Sequence, residues 1–310
     1  MDKRRNGFAI ALAWPETFCK QSAAWYDSMM HLLKITTNNH YRVGHSAVVL
    51  VNEDGDCHYF DFGRYHAPFG FGRVRSEFTD SELKLQSKAL IKGQTILNFS
   101  AILEELSQKK ECHGDGKLWS SYTPINFEKA KEKAEILQEK SPIEYGPFVR
   151  RGTNCSRFTR KVILSGNPKL KVFFKLFFQY TVTASPAINV TSLAKPTIVR
   201  TSRDAEKPLK KKSLNEVLLA PENKPHLHAK WFAGEGAGSW FTFQVQEKNV
   251  YFIEKYCPDL DLESQSKMSL EGEIFLNVKD DFLLIFPCNS REINILQNGN
   301  HLVFHKVEEF

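Results

Sequence analysis

A cysteine, a histidine and a residue able to orient the histidine are the parts of a thiol nucleophile, and this chain carries all three. Cys155 lies in Gly152-Thr153-Asn154-Cys155-Ser156-Arg157-Phe158-Thr159-Arg160. Thr153 and Asn154 are favourable N-cap residues. Phe158, Val162 and Ile163 then recur at helical spacing. The spacing predicts a helix from about 154 to 165 with Cys155 in its first turn. Unpaired backbone N–H groups and the positive end of the helix dipole favour an anion there. Arg150, Arg151, Arg157, Arg160 and Lys161 push the same way. Both effects lower a thiol pKa, and the thiolate is the nucleophile. A small buried cysteine on an amphipathic helix would show the same local pattern, so the deciding residues lie upstream.

A cysteine nucleophile needs a base to take its proton, and the base needs a partner to orient it. Gly44-His45 opens the β-rich run that ends in Val48-Val49-Leu50-Val51. Asn52-Glu53-Asp54-Gly55-Asp56 is a hairpin turn, and the chain returns as Cys57-His58-Tyr59-Phe60-Asp61-Phe62. A polar residue on the returning strand can meet His45 across the pair and hold one tautomer. Asp61 and His58 are both candidates. They differ by an odd number of positions, so a regular strand turns only one of them toward His45.

The apolar pattern predicts the elements that position these groups. Gly7–Ala13 is a buried strand closed by Pro15-Glu16-Thr17, and residues 20–34 form a helix. Tyr65–Arg75, rich in aromatics with one Pro and two Gly, is a shaped loop. Helices follow at Thr79–Ile91 and Asn98–Lys109, then a strand at Leu118–Thr123. Asn126 caps an amphipathic helix that Ser141-Pro142 stops. Lys169–Phe178 forms a further helix, and Thr181–Ile188 is irregular because of Ser185-Pro186. Residues 196–226, with Pro196, Pro208, Pro221, Pro225 and the run Lys210-Lys211-Lys212, read as a solvated linker. Short apolar runs separated by turns then predict a small all-β sandwich or barrel. Ala233–Gly238 is a glycine-rich turn leading into a strand; no lysine follows at the spacing of a phosphate loop.

Composition narrows the class. A chain of 310 residues with 42% hydrophobic and 12% aromatic content supports one large or two ordinary domains. The net charge of +6 comes from basic residues scattered among nearly as many acids, which does not imply a nucleic-acid surface. The six cysteines are irregularly spaced and form no CxxC, which argues against a disulfide framework or zinc site. His226 with His228, Cys112 with His113, and Asp259 with Asp261 each lack the further ligands a metal needs, so neither metal nor cofactor is expected. The N-terminus lacks the apolar length and cleavage site of a signal peptide, and no apolar run reaches the roughly 18 residues of a membrane span. A reducing, cytoplasmic location is the expectation.

The GH strand, the polar residue on the returning strand and the later Asn154-Cys155-Ser156-Arg157-Phe158 resemble the circularly permuted papain-like superfamily. That superfamily includes lecithin:retinol acyltransferase-like enzymes and permuted relatives of the NlpC-type cell-wall endopeptidases. Its histidine precedes its cysteine in the chain, as His45 precedes Cys155 here, and its nucleophile motif often reads N-C-E-x-F. Ser156 replaces the Glu of that motif. The likeness covers residues 5–190 in layout and two short motifs in detail. The whole chain also resembles bacterial proteins of unknown function that join such a domain to a β-rich C-terminal part.

The resemblance implies Cys155 as nucleophile and His45 as general base, with a polar third residue on the next strand, Asp61 before His58. It also implies an oxyanion hole that includes the backbone N–H of Cys155. Asn154, Arg64, Tyr65 and Arg73 are the candidates to shape a substrate cleft. The expectation is an α+β chain: a permuted papain-like domain over 1–195 with an antiparallel sheet and packed helices, a linker over 196–226, and a smaller all-β accessory domain over 227–310. The expected activity is thiol hydrolysis of an amide or peptide bond. Lipid or thioester acyl transfer would use the same residues, and a non-catalytic binding module would leave the thiol unused. The expected partners are a peptide, amide or acyl-lipid substrate, with no nucleic acid and no transmembrane segment.

Overall fold

The structure, a computed structural model, describes residues 5–20, 36–37, 40–41, 44–178, 185–205 and 219–307. The chain divides into two compact units. One comprises Met1–Gly63, Gly72–Ser76 and Leu83–Lys212; the other comprises Arg64–Phe71, Glu77–Glu82 and Ser213–Phe310. Two short segments from the N-terminal half thus belong with the C-terminal unit, which a single cut in the sequence does not anticipate.

Seven strands form the sheet of the first unit: β1 (Gly7–Trp14), β2 (His45–Val51), β3 (Cys57–Gly63), β4 (Phe71–Ser76), β5 (Lys117–Ile125), β6 (Ile143–Glu144) and β7 (Thr197–Arg200). Their order is β6-β4-β3-β2-β1-β5-β7, and the ladders from β4 to β7 in that order are antiparallel. The first residues of the stretch read as linker are therefore an edge strand. β1 and β2 are buried at every position because both faces of the sheet are covered.

Phe8, Ile10, Leu12 and Trp14 turn to one face with Ala47, Val49 and Tyr59. There α1 (Phe99–Gln108) contributes Ile102, Leu103 and Leu106. Ala9, Ala11 and Ala13 turn to the other face with Val48 and Leu50. Four helices cover that side: α2 (Phe127–Glu139), α3 (Cys155–Ser165), α4 (Leu170–Phe178) and α5 (Pro186–Leu193). The small alanines let α5 pack closely on β1, and Ser121 Oγ donates to the Val190 carbonyl at 2.5 Å.

The expected helices at α1 to α4 are present. Asn126 and Asn154 act as N-caps, accepting from the Lys129 N–H at 2.9 Å and the Arg157 N–H at 2.8 Å. Thr79–Ile91 does not form a helix; only Ser81–Leu83 makes a 3-10 turn. Its backbone donors are taken by groups distant in sequence: the Glu105 carboxylate accepts from Gln86 and Ser87, Asn98 Oδ1 from Leu90, and the Gly55 carbonyl from Ala89. Thr181–Ile188, expected to be irregular, contains the start of α5, where Pro186 sits in the first turn and its missing N–H costs nothing. Of the helix expected over residues 20–34, Lys20 ends a short strand, Cys19–Lys20, and the rest, like the run Lys210–Lys212, lies outside the described residues. Among the described residues no helix is long and apolar enough to cross a membrane.

The second unit is all-β. Its strands are β8 (Lys230–Phe232), β9 (Ser239–Glu247), β10 (Val250–Tyr256), β11 (Leu262–Leu270), β12 (Leu283–Cys288), β13 (Glu292–Gln297) and β14 (Asn300–Lys306). They form one antiparallel sheet in the order β8-β9-β10-β11-β14-β13-β12. The terminal strands β8 and β12 pack together, so the sheet curls toward a barrel. Phe241, Tyr251, Ile253, Ile295 and Phe304 fill its core. Lys255 takes an inward position on β10, where its ammonium meets Glu82 at 2.7 Å, Glu263 at 3.1 Å and Asp80 at 3.8 Å. The chain as a whole is α+β.

Candidate active site

The strand register assembles a polar row on the α1 face of the first sheet. His45 pairs with Trp14 across β2 and β1; Ala47 pairs with Asp61 across β2 and β3; Asp61 pairs with Arg75 across β3 and β4. His45 precedes Ala47 by two residues and so shares its face, diagonal to Asp61. Its Nε2 reaches Asp61 Oδ2 at 3.3 Å. Arg75 closes on the same carboxylate from directly opposite, with Nε donating to Oδ1 at 3.0 Å and Nη2 to Oδ2 at 2.5 Å. The Tyr59 hydroxyl adds a third donor at 3.1 Å.

Asp61 is fully buried. Burial alone would raise its pKa, but the Arg75 charge and the hydrogen bonds from His45 and Arg75 prevail and hold it well below the usual carboxylate range. It is therefore an anion, able to fix the tautomer of His45 and stabilise its cation. Neighbouring groups stay neutral. Burial raises the Cys112 thiol to about 12. His113 is held well below the ordinary imidazole range, by burial first and then by the Arg75 charge.

Two glycines shape this end of the sheet. Gly44 leads into β2 with φ of +77°, and a Cβ there would lie 2.7 Å from the Trp14 carbonyl oxygen. Trp14 stacks on His45 with ring centroids 5.7 Å apart and 23° between planes. Gly114 lies against the indole: a Cβ on it would fall 2.2 Å from Trp14 Cδ2. Gly114→Ala is accordingly expected to destabilise the unit by about 1–3 kcal/mol through overpacking and to shift Trp14 on His45. Thermal unfolding and near-UV circular dichroism measure the two effects. An unchanged melt with an unchanged near-UV spectrum would exclude this packing.

Cys155 opens α3, buried, with Asn154 capping the helix and the Arg157 guanidinium donating to the carbonyls of Gly146, Pro147 and Val149 at 2.9–3.1 Å. Two ties give the direction of α3. Near its start, Ser46 Oγ donates to Thr159 Oγ1 at 3.2 Å. At its end, the Gly166 carbonyl accepts from the Asn126 N–H at 2.6 Å, beside Ile125, which pairs with Gly7 where β1 meets the far end of β2. The helix therefore runs parallel to β2. Cys155 precedes Thr159 by one turn, about 6 Å of rise, and so lies toward the end of the sheet where His45 begins β2, on a helix packed against the face opposite the polar row.

The other sequence candidates fall elsewhere. His58 pairs with Leu50 and points to the opposite face, its ring 5.6 Å from that of Phe127; it does not share the His45 pocket. Arg64 and Tyr65 belong to the C-terminal unit. Arg64 is buried with its Nη1 3.6 Å from Glu235, and Tyr65 bridges to Ala237. Arg73 is buried on β4, opposite Gly63. Three residues of the row escaped the sequence reading: Trp14, Tyr59 and Arg75. Tyr59 was legible, since it precedes Asp61 by two on one strand face. Arg75 was not, because its stretch carries no periodicity. Among the described residues no group of three or more His, Cys, Asp or Glu is arranged to hold a metal ion.

The fold and site define a two-unit α+β protein whose N-terminal sheet carries a buried Trp-His-Asp-Arg row on one face and, on the other, the helix that begins with Cys155. The model of a family described as type VI secretion system effector TseH-like matches residues 9–172, more than half of the chain, and the chain belongs to this family. A second family model, the DUF6695 C-terminal domain, matches residues 229–307. The protein is thus a two-domain bacterial protein with a TseH-like N-terminal domain. No curated protein and no solved structure gives a significant match.

Proposed function

We propose that the N-terminal unit is a permuted papain-like thiol hydrolase that cleaves an amide or peptide bond. The observation that carries the reading is the hydrogen bond from His45 Nε2 to an Asp61 locked by Arg75, at the sheet end where α3 begins with Cys155. With Nε2 turned to Asp61, Nδ1 is the atom that exchanges a proton with the thiol. Cys155 gives that proton to His45, and the sulfur attacks the carbonyl carbon. The tetrahedral oxyanion is received by the first backbone N–H groups of α3. The C–N bond then breaks as His45 returns the proton to the departing amine. Water resolves the thioester, with His45 taking its proton, and releases a carboxylic acid and the free thiol. Cytoplasmic synthesis, in a compartment that keeps the thiol reduced, suits this chemistry, and the family's description as secretion system effectors suits action after export.

The protein supplies its own controls. Burial raises both Cys57 and Cys112 to about 12. Under limiting iodoacetamide at pH 6, Cys155 is expected to label at least about tenfold faster than either, as mapped by mass spectrometry. The labelled protein should then release no amine from amide substrates that the unlabelled protein cleaves. Turnover of thioesters or esters but not amides would move the activity to acyl-lipid chemistry on the same residues. If Cys155 labels no faster than Cys57 and Cys112, the domain is a binding shell with an unused thiol.

A further inference from the structure

α4 is apolar on two opposite sides. Val172 and Leu176 are buried in the core. At helical pitch Leu170, Phe174, Phe177 and Phe178 fall on the outer side, where they are 72%, 50%, 56% and 65% exposed. The rings of Phe174 and Phe178 stack at 6.0 Å, and Phe177 meets Phe178 edge-on at 5.8 Å, so the outer side is one continuous aromatic surface. Lys171 and Lys175 run along one flank, between the inner and outer sides. A groove of about 370 Å³ opens on that flank, lined by these two lysines together with Lys195, Thr191 and Pro196. Three lysines line this groove, and none of the residues lining it is acidic.

An exposed apolar patch rimmed by polar groups marks an interaction surface. The flanking charge selects the occupant. A second copy docking through the same face would offer these lysines no acidic partner, because an isologous interface repeats the same residues on both sides. A bilayer with anionic headgroups satisfies both halves of the surface. The phenylalanines enter the boundary between headgroup and acyl chain, and the lysines bind phosphates while their stems cover apolar surface. We propose that α4 and its lysine groove form a docking surface for an anionic phospholipid membrane. This inference does not rest on the thiol chemistry.

The test is co-sedimentation of the full chain with vesicles of phosphatidylcholine alone or mixed with phosphatidylglycerol. Binding is expected to the mixed vesicles only, and to fall as salt is raised from about 0.1 M to about 0.5 M. Each lysine near the surface contributes about fivefold, so Lys171→Gln with Lys175→Gln should weaken partitioning about 25-fold. Phe174→Ser with Phe177→Ser should weaken it about tenfold or more. Both pairs are exposed, and an unchanged thermal melt shows that the fold is kept. Three results would each overturn the proposal. The wild type could remain in the supernatant with mixed vesicles. Both variants could bind as well as the wild type. Sedimentation velocity could reveal a dimer that the phenylalanine variant dissolves, in which case a second copy covers the face.

Discussion

Replacing Arg75 with leucine is expected to destabilise the N-terminal unit by about 3–5 kcal/mol, because it leaves the buried Asp61 carboxylate without its cation. The pH dependence should also change sign. In the wild type the Asp61 pKa is depressed, by Arg75 and hydrogen bonds acting against burial. Its contribution is therefore complete above the unfolded value of about 3.9 and is lost only as pH falls through the lower folded value. Without Arg75, burial dominates and raises the folded pKa above the unfolded one. The folded state then binds more protons than the unfolded state between the two values. Stability should fall as pH rises from about 4, where the wild type gains or is flat. Urea unfolding of both proteins across that range measures this directly. The double variant Arg75→Leu with Asp61→Asn removes the stranded charge and should recover much of the loss, which a purely steric role for Arg75 would not allow. A loss below about 1 kcal/mol, or a pH slope like that of the wild type, would mean that the Asp61–Arg75 pair does not set the local electrostatics.

The parts of the site on regular elements were legible in the sequence, and the parts held by tertiary contacts were not. The N-cap at Asn154, the first-turn place of Cys155 and the hairpin joining His45 to Asp61 all follow from local rules that act over a few residues. Choosing Asp61 over His58 required register, since a one-residue slip exchanges the two faces. Only the pairing of Ala47 with Asp61 supplies it. Arg75 was lost because Tyr65–Arg75 reads as loop: Arg64–Phe71 is built into the other unit, and the strand begins only at Phe71. Thr79–Ile91 has helical spacing, yet its N–H groups bond to Glu105, Asn98 and Gly55. Acceptors that far away in sequence leave no local signal.

His45→Ala is expected to slow alkylation of Cys155 at pH 6 by tens of fold and to lower hydrolysis by about 10²–10⁴, the usual contribution of a positioned acid–base group. At that pH a thiol with an ordinary pKa near 8.5 is less than about 1% thiolate. In the proposed pair, a thiolate formed by proton transfer to His45 is the larger fraction but intrinsically less nucleophilic, so the labelling rate is expected to change less than the thiolate fraction does. Asp61→Asn should fall between wild type and His45→Ala. The amide can still meet Nε2 but no longer stabilises an imidazolium, and the acidic limb of the labelling profile should move toward higher pH. Arg150, Arg151, Arg157 and the start of α3 are unchanged in both variants, as is the Asn154 cap. Whatever those groups do for the thiol therefore persists, and the difference between the pH profiles isolates what the imidazole adds. If His45→Ala labels at the wild-type rate from pH 4 to 9, the helix start and the arginines account for all the reactivity. Cys155 would then have no base, and the hydrolase reading would lose its proton path.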